Sequence, residues 1–217
     1  MDIRLLSMAE LFKGMTETEI SAALLFLRAE EKNFEKGQTI FHAGDITEKL
    51  GLVLAGSVTI ESNDAWGSRS ILNHVGQLQL FAETYALLHD TPLLVDVVAN
   101  EVSCVLFLYV NGIQASQPWG LKLMSNLLHI SSMKNLHLSS RSFHTAPKTV
   151  RGRVMAYLNT VSLQEKSAEF DIPFDRQQLA DYLNLERTNM SKELTRMKRD
   201  GILECRKNHF RLIRPKE

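Results

Sequence analysis

The sequence predicts an α+β chain in three parts: a strand-rich N-terminal domain, a long central helix, and a C-terminal unit of short helices and a hairpin. Short apolar runs separated by glycines occupy residues 30–108. An apolar stripe at helical spacing follows Pro118, and two short amphipathic helices after Pro173 precede two strand-like runs. The expected domain bounds are 1–115, 116–146 and 147–217.

Length and composition limit the class of protein. A chain of 217 residues with 44% hydrophobic and 23% charged residues is typical of a globular protein of one or two domains. No apolar run reaches the roughly 18–20 residues that a membrane span needs, and residues 1–4 begin no secretion signal. The two cysteines, Cys104 and Cys205, build neither a disulfide framework nor a thiolate zinc site. We therefore expect a cytoplasmic protein with no membrane contact and no metal.

Charge is distributed unevenly along the chain. Residues 1–145 contain 10 Lys and Arg against 15 Asp and Glu, whereas residues 146–217 contain 15 against 10. An acidic N-terminal region followed by a basic C-terminal third is typical of a sensor domain joined to a nucleic-acid-binding domain. Random drift of charge along the chain stays open as an alternative.

The N-terminal region combines one helix with many short strands. Thr16 and Glu19 have the spacing of a capping box, in a helical segment over residues 8–27 whose apolar face holds Ile20, Ala23 and Leu24. Close spacing and glycine turns predict a compact β-roll, barrel or sandwich. The expected strands are at residues 39–41, 52–54, 58–60, 95–99 and 104–108.

The central segment Trp119–Ser142 predicts a helix of about 24 residues, long for a globular protein. Its apolar stripe suits an interhelical seam in a homodimer, and a helix that packs on its own domain is the alternative. Ser142–Pro147 is the predicted hinge, because proline disfavours helical geometry in the residue before it. The stripe consists of Leu123, Leu127, Ile130, Met133 and Leu136.

Residues Asp175–Gly201 have the pattern of a helix-turn-helix. Leu179, Ala180 and Leu183 form the apolar face of a first short helix, and Asn184 tolerates the left-handed backbone of a sharp turn. A second helix is then expected to bury its apolar face, formed by Met190, Leu194 and Met197.

The polar side chains of the second helix have the chemistry that reads DNA. Arg and Lys bind guanine O6 and N7, and Asn pairs with adenine through two hydrogen bonds. Two strands after Gly201, joined by the basic turn Arg206–His209, predict a wing. A unit of this shape without a nucleic-acid partner is the alternative. The predicted DNA-binding residues are Arg176, Gln177, Arg187, Thr188, Asn189, Ser191, Lys192, Arg196 and Lys207.

Motifs in both halves of the chain resemble the Crp/Fnr superfamily of transcriptional regulators. Its β-roll opening is similar to Phe34-x-Lys36-Gly37-Gln38-x-Ile40-Phe41-x-Ala43-Gly44-Asp45, and its C-terminal signature to Arg176-Gln177-x-Leu179-Ala180 and Met190-Ser191-Lys192-Glu193-Leu194. The resemblance implies a cyclic-nucleotide-binding-type β-roll, a dimerisation helix and a C-terminal winged helix-turn-helix. Two departures stand at the turn: Glu186 replaces the usual Ser or Thr cap, and Asn184 replaces the usual glycine.

The resemblance also implies a nucleotide cassette, and here the sequence departs from the family. Phe81-Ala82-Glu83 looks like its glutamate portion, but Leu93-Leu94 stands where relatives carry arginine and serine. An apolar pair leaves a buried phosphate without a partner, so we predict that cyclic AMP is not the effector. An uncharged apolar effector, or a collapsed pocket filled by leucines, is expected instead. The predicted pocket residues are Phe81, Glu83, Tyr85, Leu93 and Leu94.

No cofactor is predicted. Two cysteines cannot supply the usual four thiolates of an iron–sulfur cluster, and haem held by His74 or His89 stays open as an alternative. Motifs for phosphate-binding loops, zinc hydrolases and nucleophile elbows are absent from the sequence, so we expect no enzyme. The predicted function is effector-controlled binding of a homodimer to a near-palindromic operator in double-stranded DNA, with RNA polymerase as a further candidate partner. A regulatory or interaction module without specific DNA binding is the alternative.

Overall fold

The computed structural model describes residues 2–63, 69–88, 90–113 and 116–213. The chain forms two compact units, Met1–Met133 and Lys134–Glu217, which divide inside the central helix. The domain bounds expected from the sequence stay a prediction. Among the described residues, no helix is both long and apolar enough to cross a membrane.

The first unit begins with helices α1 (Ile3–Ser7) and α2 (Glu17–Phe26), with a short 3-10 helix between them. The capping box is confirmed: Thr16 Oγ1 accepts from the Glu19 N–H at 3.2 Å, and Glu19 Oε2 accepts from the Thr16 N–H at 2.8 Å. The predicted apolar face of α2 is buried. The helical segment is not continuous from Met8, because Gly14 has a φ of 73° between the 3-10 helix and α2.

Among the described residues of the first unit, eight strands and helix α3 (Glu83–Leu88) follow. The strands are β1 (Glu30–Phe34), β2 (Thr39–Phe41), β3 (Lys49–Ala55), β4 (Val58–Asn63), β5 (Arg69–Val75), β6 (Leu80–Phe81), β7 (Asp96–Ala99) and β8 (Ser103–Tyr109). These strands pair antiparallel in two four-stranded sheets, in the orders β1-β8-β3-β6 and β2-β7-β4-β5.

The two sheets share an apolar core, which confirms the β-roll. Alternation along β3 explains how one strand serves two cores, since successive side chains point to opposite faces. Val53 packs between the sheets with Phe107 and Phe41, while Leu50 and Leu52 pack with α2 and the helices around it.

The long helix α4 spans Gly120–Thr145 and ends beyond the predicted Ser142. Leu123 and Leu127 are buried in the core of the first unit. The prediction that this part of the stripe faces a partner chain is therefore wrong, because the first unit covers it. The exposed apolar side chains of α4 instead include a row at spacings of three and four residues, formed by Leu121, Met124 and Leu128.

The second unit surrounds one apolar core with three helices and a three-stranded antiparallel sheet in the order β10-β11-β9. The sequence pattern did not predict strand β9, because a strand of only three residues is too short to show a clear alternation of apolar and polar side chains. The elements are α5 (Val150–Gln164), β9 (Glu169–Asp171), α6 (Arg176–Tyr182), α7 (Arg187–Arg199), β10 (Leu203–Arg206) and β11 (His209–Leu212).

Candidate nucleic-acid interface

Hydrogen bonds between residues close in sequence define the start of the first helix of the predicted helix-turn-helix and the turn that leads to the second. A capping box starts α6: Asp175 Oδ1 accepts from the Gln178 N–H, and Gln178 Oε1 accepts from the Asp175 N–H, both at 2.8 Å. Asn184 takes a φ of 51°, which confirms the predicted left-handed turn. The Leu185 N–H then donates to the Ala180 carbonyl at 2.9 Å and closes the turn.

Two arginines hold the carbonyl groups at the end of α6, which have no partner within the helix. Arg141, in the last turns of α4, donates to the Tyr182 carbonyl at 3.1 Å and to Asn184 Oδ1 at 3.2 Å. Arg153 on α5 donates to the Leu183 and Asn184 carbonyls at 3.2 and 2.9 Å. The turn before α7 is thereby fixed to both α4 and α5.

Helix α7 is oriented by a buried apolar face and by one ion-pair cluster. Met190, Leu194 and Met197 are buried, as predicted. Arg151 on α5 donates to Glu193 Oε1 at 2.6 Å and to Asp200 Oδ2 at 2.8 Å, and these hydrogen bonds raise the pKa of the guanidinium. Because the apolar face and the cluster lie against α5, the opposite face of α7 is left exposed.

The exposed face carries the residues that the sequence assigns to DNA, and their outward placement is confirmed. Their reading roles stay predictions. Glu186 stands at the N-cap position but makes no side-chain cap, and its Oε2 accepts from Asn189 Nδ2 at 2.8 Å instead. The exposed residues are Arg187, Thr188, Asn189, Ser191 and Lys192.

A cleft of about 690 Å³ lies where the beginnings of α6 and α7 meet the wing turn. Three cationic side chains line it: Arg176, Arg187 and Lys207. The Arg176 guanidinium lies 4.8 Å from the centre of the Phe210 ring, and its Nη1 is buried without a hydrogen-bond partner within the described part of the chain. A buried cationic donor without a partner is costly, so the cleft is suited to an anion. Gln177 also lines the cleft and donates to Asp181 Oδ1 at 2.8 Å.

The wing turn is tighter than predicted. Arg206 and His209 pair across the hairpin, so only Lys207 and Asn208 form the turn, and Lys207 takes a φ of 54°. Asn208 Nδ2 donates to the Ile172 carbonyl at 3.2 Å and holds the turn against the chain before α6. Asn208 is a lining residue of the cleft that the sequence reading missed, and an asparagine in a basic hairpin turn was its only signal.

Two histidines of this unit have opposite environments. His144 is buried between Tyr182 Oη at 2.9 Å and Thr160 Oγ1 at 3.0 Å, and burial lowers its pKa. His209 is partly exposed between Glu169 Oε1 at 3.0 Å and Asp171 Oδ1 at 3.1 Å, and hydrogen bonds to these carboxylates raise its pKa. Neutral imidazole is therefore favoured at His144 and the imidazolium at His209.

The predicted effector residues differ in burial, although Phe81, Tyr85 and Leu93 pack in one core. Phe81 and Leu93 are buried in the core between the two sheets, and Glu83 is buried at the start of α3. Leu94 is 80% exposed, and its N–H donates to Tyr85 Oη at 3.3 Å. The pocket assignment stays a prediction for all five residues.

The described residues were compared with the arrangements that hold a metal ion or a haem. No group of three or more His, Cys, Asp or Glu side chains in them is arranged to hold a metal ion. His74 is exposed on β5, and His89 lies outside the described residues.

Arg196, the remaining predicted DNA contact, is exposed on α7 and its Nη1 donates to Glu193 Oε2 at 3.5 Å.

Two protein-family models match the chain. Residues 31–115 match the cyclic nucleotide-binding domain and residues 152–217 match the Crp-like helix-turn-helix domain, so the two together account for more than half of the chain. No curated protein sequence matches it.

Solved structures share the fold at low identity. The catabolite activator protein of Thermus thermophilus is 24% identical over 94% of each chain, with a TM-score of 0.51. The c-di-GMP-responsive global regulator CLP of Xanthomonas campestris is 18% identical over 92% of this chain and 100% of its own, with a TM-score of 0.57. CprK complexed with OCPA is 14% identical over 87% of this chain and 90% of its own, with a TM-score of 0.63.

Proposed function

Because this chain belongs to the Crp/Fnr superfamily of transcriptional regulators, we propose that it binds an operator as a homodimer under the control of an effector other than cyclic AMP. The observation that carries the proposal is the cationic cleft between the wing turn and the beginnings of α6 and α7. It lies beside the exposed polar face of α7, so phosphate binding and base reading occur on neighbouring surfaces.

Phosphate binding is assigned to the cleft. The guanidinium of Arg176, whose Nη1 has no hydrogen-bond partner in the described residues, donates a charge-assisted hydrogen bond to a phosphate oxygen, and Lys207 and Arg187 add positive charge to the lining of the cleft. Such contacts set the position of the protein on the duplex and carry no sequence information by themselves.

Base reading is assigned to the first turns of α7. Arg187 and Lys192 present donors that match guanine, and Asn189 presents an amide that matches adenine. Thr188 and Ser191 add hydroxyl groups that serve either bases or phosphates. These contacts enter the major groove at the N-terminal end of a recognition helix, as in other helix-turn-helix proteins.

Dimerisation is assigned to the exposed apolar row of α4, formed by Leu121, Met124 and Leu128. Its spacing of three and four residues is that of a helix that packs against a second helix. Two-fold symmetry then presents two copies of α7 to two half-sites, whose centres are expected to lie about 34 Å apart.

Effector control is assigned to the attachment of α4 to the helix-turn-helix. Arg141 and His144 join its last turns to the end of α6 and to α5. A change in the position of α4 therefore moves the turn that precedes the recognition helix. An effector that favours one of two α4 positions changes operator affinity through its differential affinity for the two states.

An effector other than cyclic AMP is proposed on the chemistry of Leu93, which is buried in the core between the sheets and, by the family resemblance, takes the place of the relatives' phosphate-binding arginine. An apolar molecule that competes with this packing is the proposed class, and a β-roll filled by its own side chains is the alternative. Calorimetry with cyclic AMP is expected to show no binding, and micromolar affinity would overturn this part of the proposal.

Selection of bound sequences from random DNA tests the main proposal. The purified chain is expected to enrich an inverted repeat, and affinity for it should fall steeply with salt because phosphate contacts release counterions. Repeating the selection with cell extract tests effector dependence. Recovery of DNA with no enriched sequence would contradict specific binding and favour a regulatory or interaction module.

A further inference from the structure

We infer that Glu186 is a specificity-determining positioning residue, which fixes the side-chain amide of Asn189 in the orientation that reads adenine. The inference rests on the proposed function and adds a role for a residue that departs from the family pattern. It concerns the first turn of α7, where Glu186 occupies the N-cap position and Asn189 lies three residues later.

The geometry shows that Glu186 does not act as a cap. An N-cap side chain normally accepts from the backbone N–H of the second or third helical residue. Glu186 makes no such hydrogen bond, and its Oε2 accepts from Asn189 Nδ2 at 2.8 Å. The carboxylate at the start of this helix is therefore engaged with a side chain rather than with the backbone.

The hydrogen bond has only one possible polarity. An ionised carboxylate accepts hydrogen bonds and donates none, so the nitrogen of the Asn189 amide must face Glu186. The Oδ1 atom and the second N–H of the amide remain available. This acceptor and donor pair is what the adenine N6 and N7 edge requires.

Without Glu186 the amide loses this constraint. Asn189 is exposed, and the described part of the chain shows no other hydrogen bond to its side chain. The two amide orientations then differ little in energy, and half of the side-chain population presents the wrong edge to adenine. Positioning by Glu186 therefore increases discrimination between bases without adding a contact to DNA.

The positioning role of Glu186 increases discrimination between bases, whereas its negative charge lowers the affinity for DNA. A carboxylate at the base-reading end of α7 repels the phosphate backbone and lowers binding to any sequence. Arg187, next to it, offsets this repulsion only in part. Discrimination and non-specific affinity are thus expected to change in opposite directions when the carboxylate is removed.

Four variants of the full-length chain separate these effects: Glu186→Ala, Glu186→Gln, Asn189→Ala and the double variant E186A/N189A. In Glu186→Ala the preference for adenine at one operator position should fall about twofold, because only half of the Asn189 side chains then present the correct edge, while non-specific binding tightens. In Glu186→Gln non-specific binding should tighten equally, but the preference should fall as well, because a glutamine amide can either accept from Asn189 Nδ2 or donate to Asn189 Oδ1 and no longer enforces one orientation. Base preferences come from selection on random DNA, and non-specific affinity from a scrambled duplex.

The double variant distinguishes positioning from direct contact. If Glu186 acts through Asn189, the base preferences of E186A/N189A match those of Asn189→Ala. Additive losses, which direct reading of cytosine N4 by Glu186 would produce, would overturn the inference, as would unchanged base preferences in Glu186→Ala. Failure of the wild-type chain to select any sequence would instead overturn the proposed function. Circular dichroism melts verify that each variant is folded.

Discussion

The helix-turn-helix and the effector cassette of the β-roll differ in how the structure places their predicted functional residues. Five predicted residues of α7 share one exposed face. Of the cassette residues, Leu93 is 2% exposed and its neighbour Leu94 is 80% exposed. Residues on one helix share a face by virtue of its 3.6-residue repeat, whereas residues on a strand, a helix and a loop share a space only if distant elements close around them.

The difference extends to chemistry. The exposed face of α7 presents charged and hydroxyl groups to solvent. The cassette places Phe81 directly against Gly51, where an added Cβ would overlap the Phe81 ring. The predicted DNA-reading side chains are thus exposed to solvent, whereas Phe81 of the cassette packs inside the β-roll.

The largest expected effect tests the cassette. Leu93→Ala should lower the free energy of unfolding by about 2–5 kcal/mol, because it leaves a cavity in the core between the sheets. Leu94→Ala is the matched control, and its change should stay within about 0.5 kcal/mol because the side chain is exposed. Chemical denaturation measures both. Similar effects of the two substitutions would contradict the inward and outward assignment.

The next effect tests the helix-turn-helix. Arg187→Ala and Lys192→Ala should each weaken binding to the selected operator by about 1–3 kcal/mol if they read guanine. Titration of labelled operator duplex measures the loss. Lys36→Ala, an exposed charge in the β-roll, is the control and should leave specific binding unchanged. Unchanged operator affinity in both α7 variants would remove these residues from base reading.

A smaller effect compares the starts of α6 and α7. Asp175→Ala should destabilise the chain by about 0.5–2 kcal/mol, because it removes a capping box. Glu186→Ala should change stability by less than about 0.5 kcal/mol, since Glu186 does not cap α7. Thermal and urea unfolding give both values. A large loss in Glu186→Ala would show that this carboxylate has a structural role that the geometry does not display.

The smallest effect is a pH dependence of opposite sign at two histidines. The lowered pKa of His144 means that its contribution to stability is present above the usual value of 6.5 and is lost as pH falls through the lowered pKa. The raised pKa of His209 means that its contribution is present below 6.5 and is lost as pH rises through the raised pKa.

Unfolding measured from about pH 5 to about pH 9 tests both signs. The difference in stability between the wild type and His209→Gln should shrink as pH rises, whereas the difference for His144→Gln should grow. Nuclear magnetic resonance titration of the two imidazoles provides the independent check. A midpoint of His209 below that of His144 would contradict both environments.

The sequence by itself determined the features that depend on neighbours along the chain. The Thr16 and Glu19 capping box and the left-handed turn at Asn184 follow from interactions within a few residues, and helical periodicity defines which residues of α7 share its apolar face. Recurring short strands and helical spacing correctly predicted a compact β domain and a helix-turn-helix, whereas the choice of a β-roll over a barrel or sandwich came from the family resemblance.

Only the tertiary structure decided the features that depend on contacts between distant segments. It turned Leu123 and Leu127 into the core of the first unit and left the row at Leu121 exposed, although both rows have the spacing of an interhelical seam. It brought Arg176, Arg187 and Lys207 to one cleft. It also buried Leu93 in the core and left the side chain of Leu94 exposed. The physical reason is that periodicity defines which residues share a face, whereas the burial of that face depends on which apolar surface meets it.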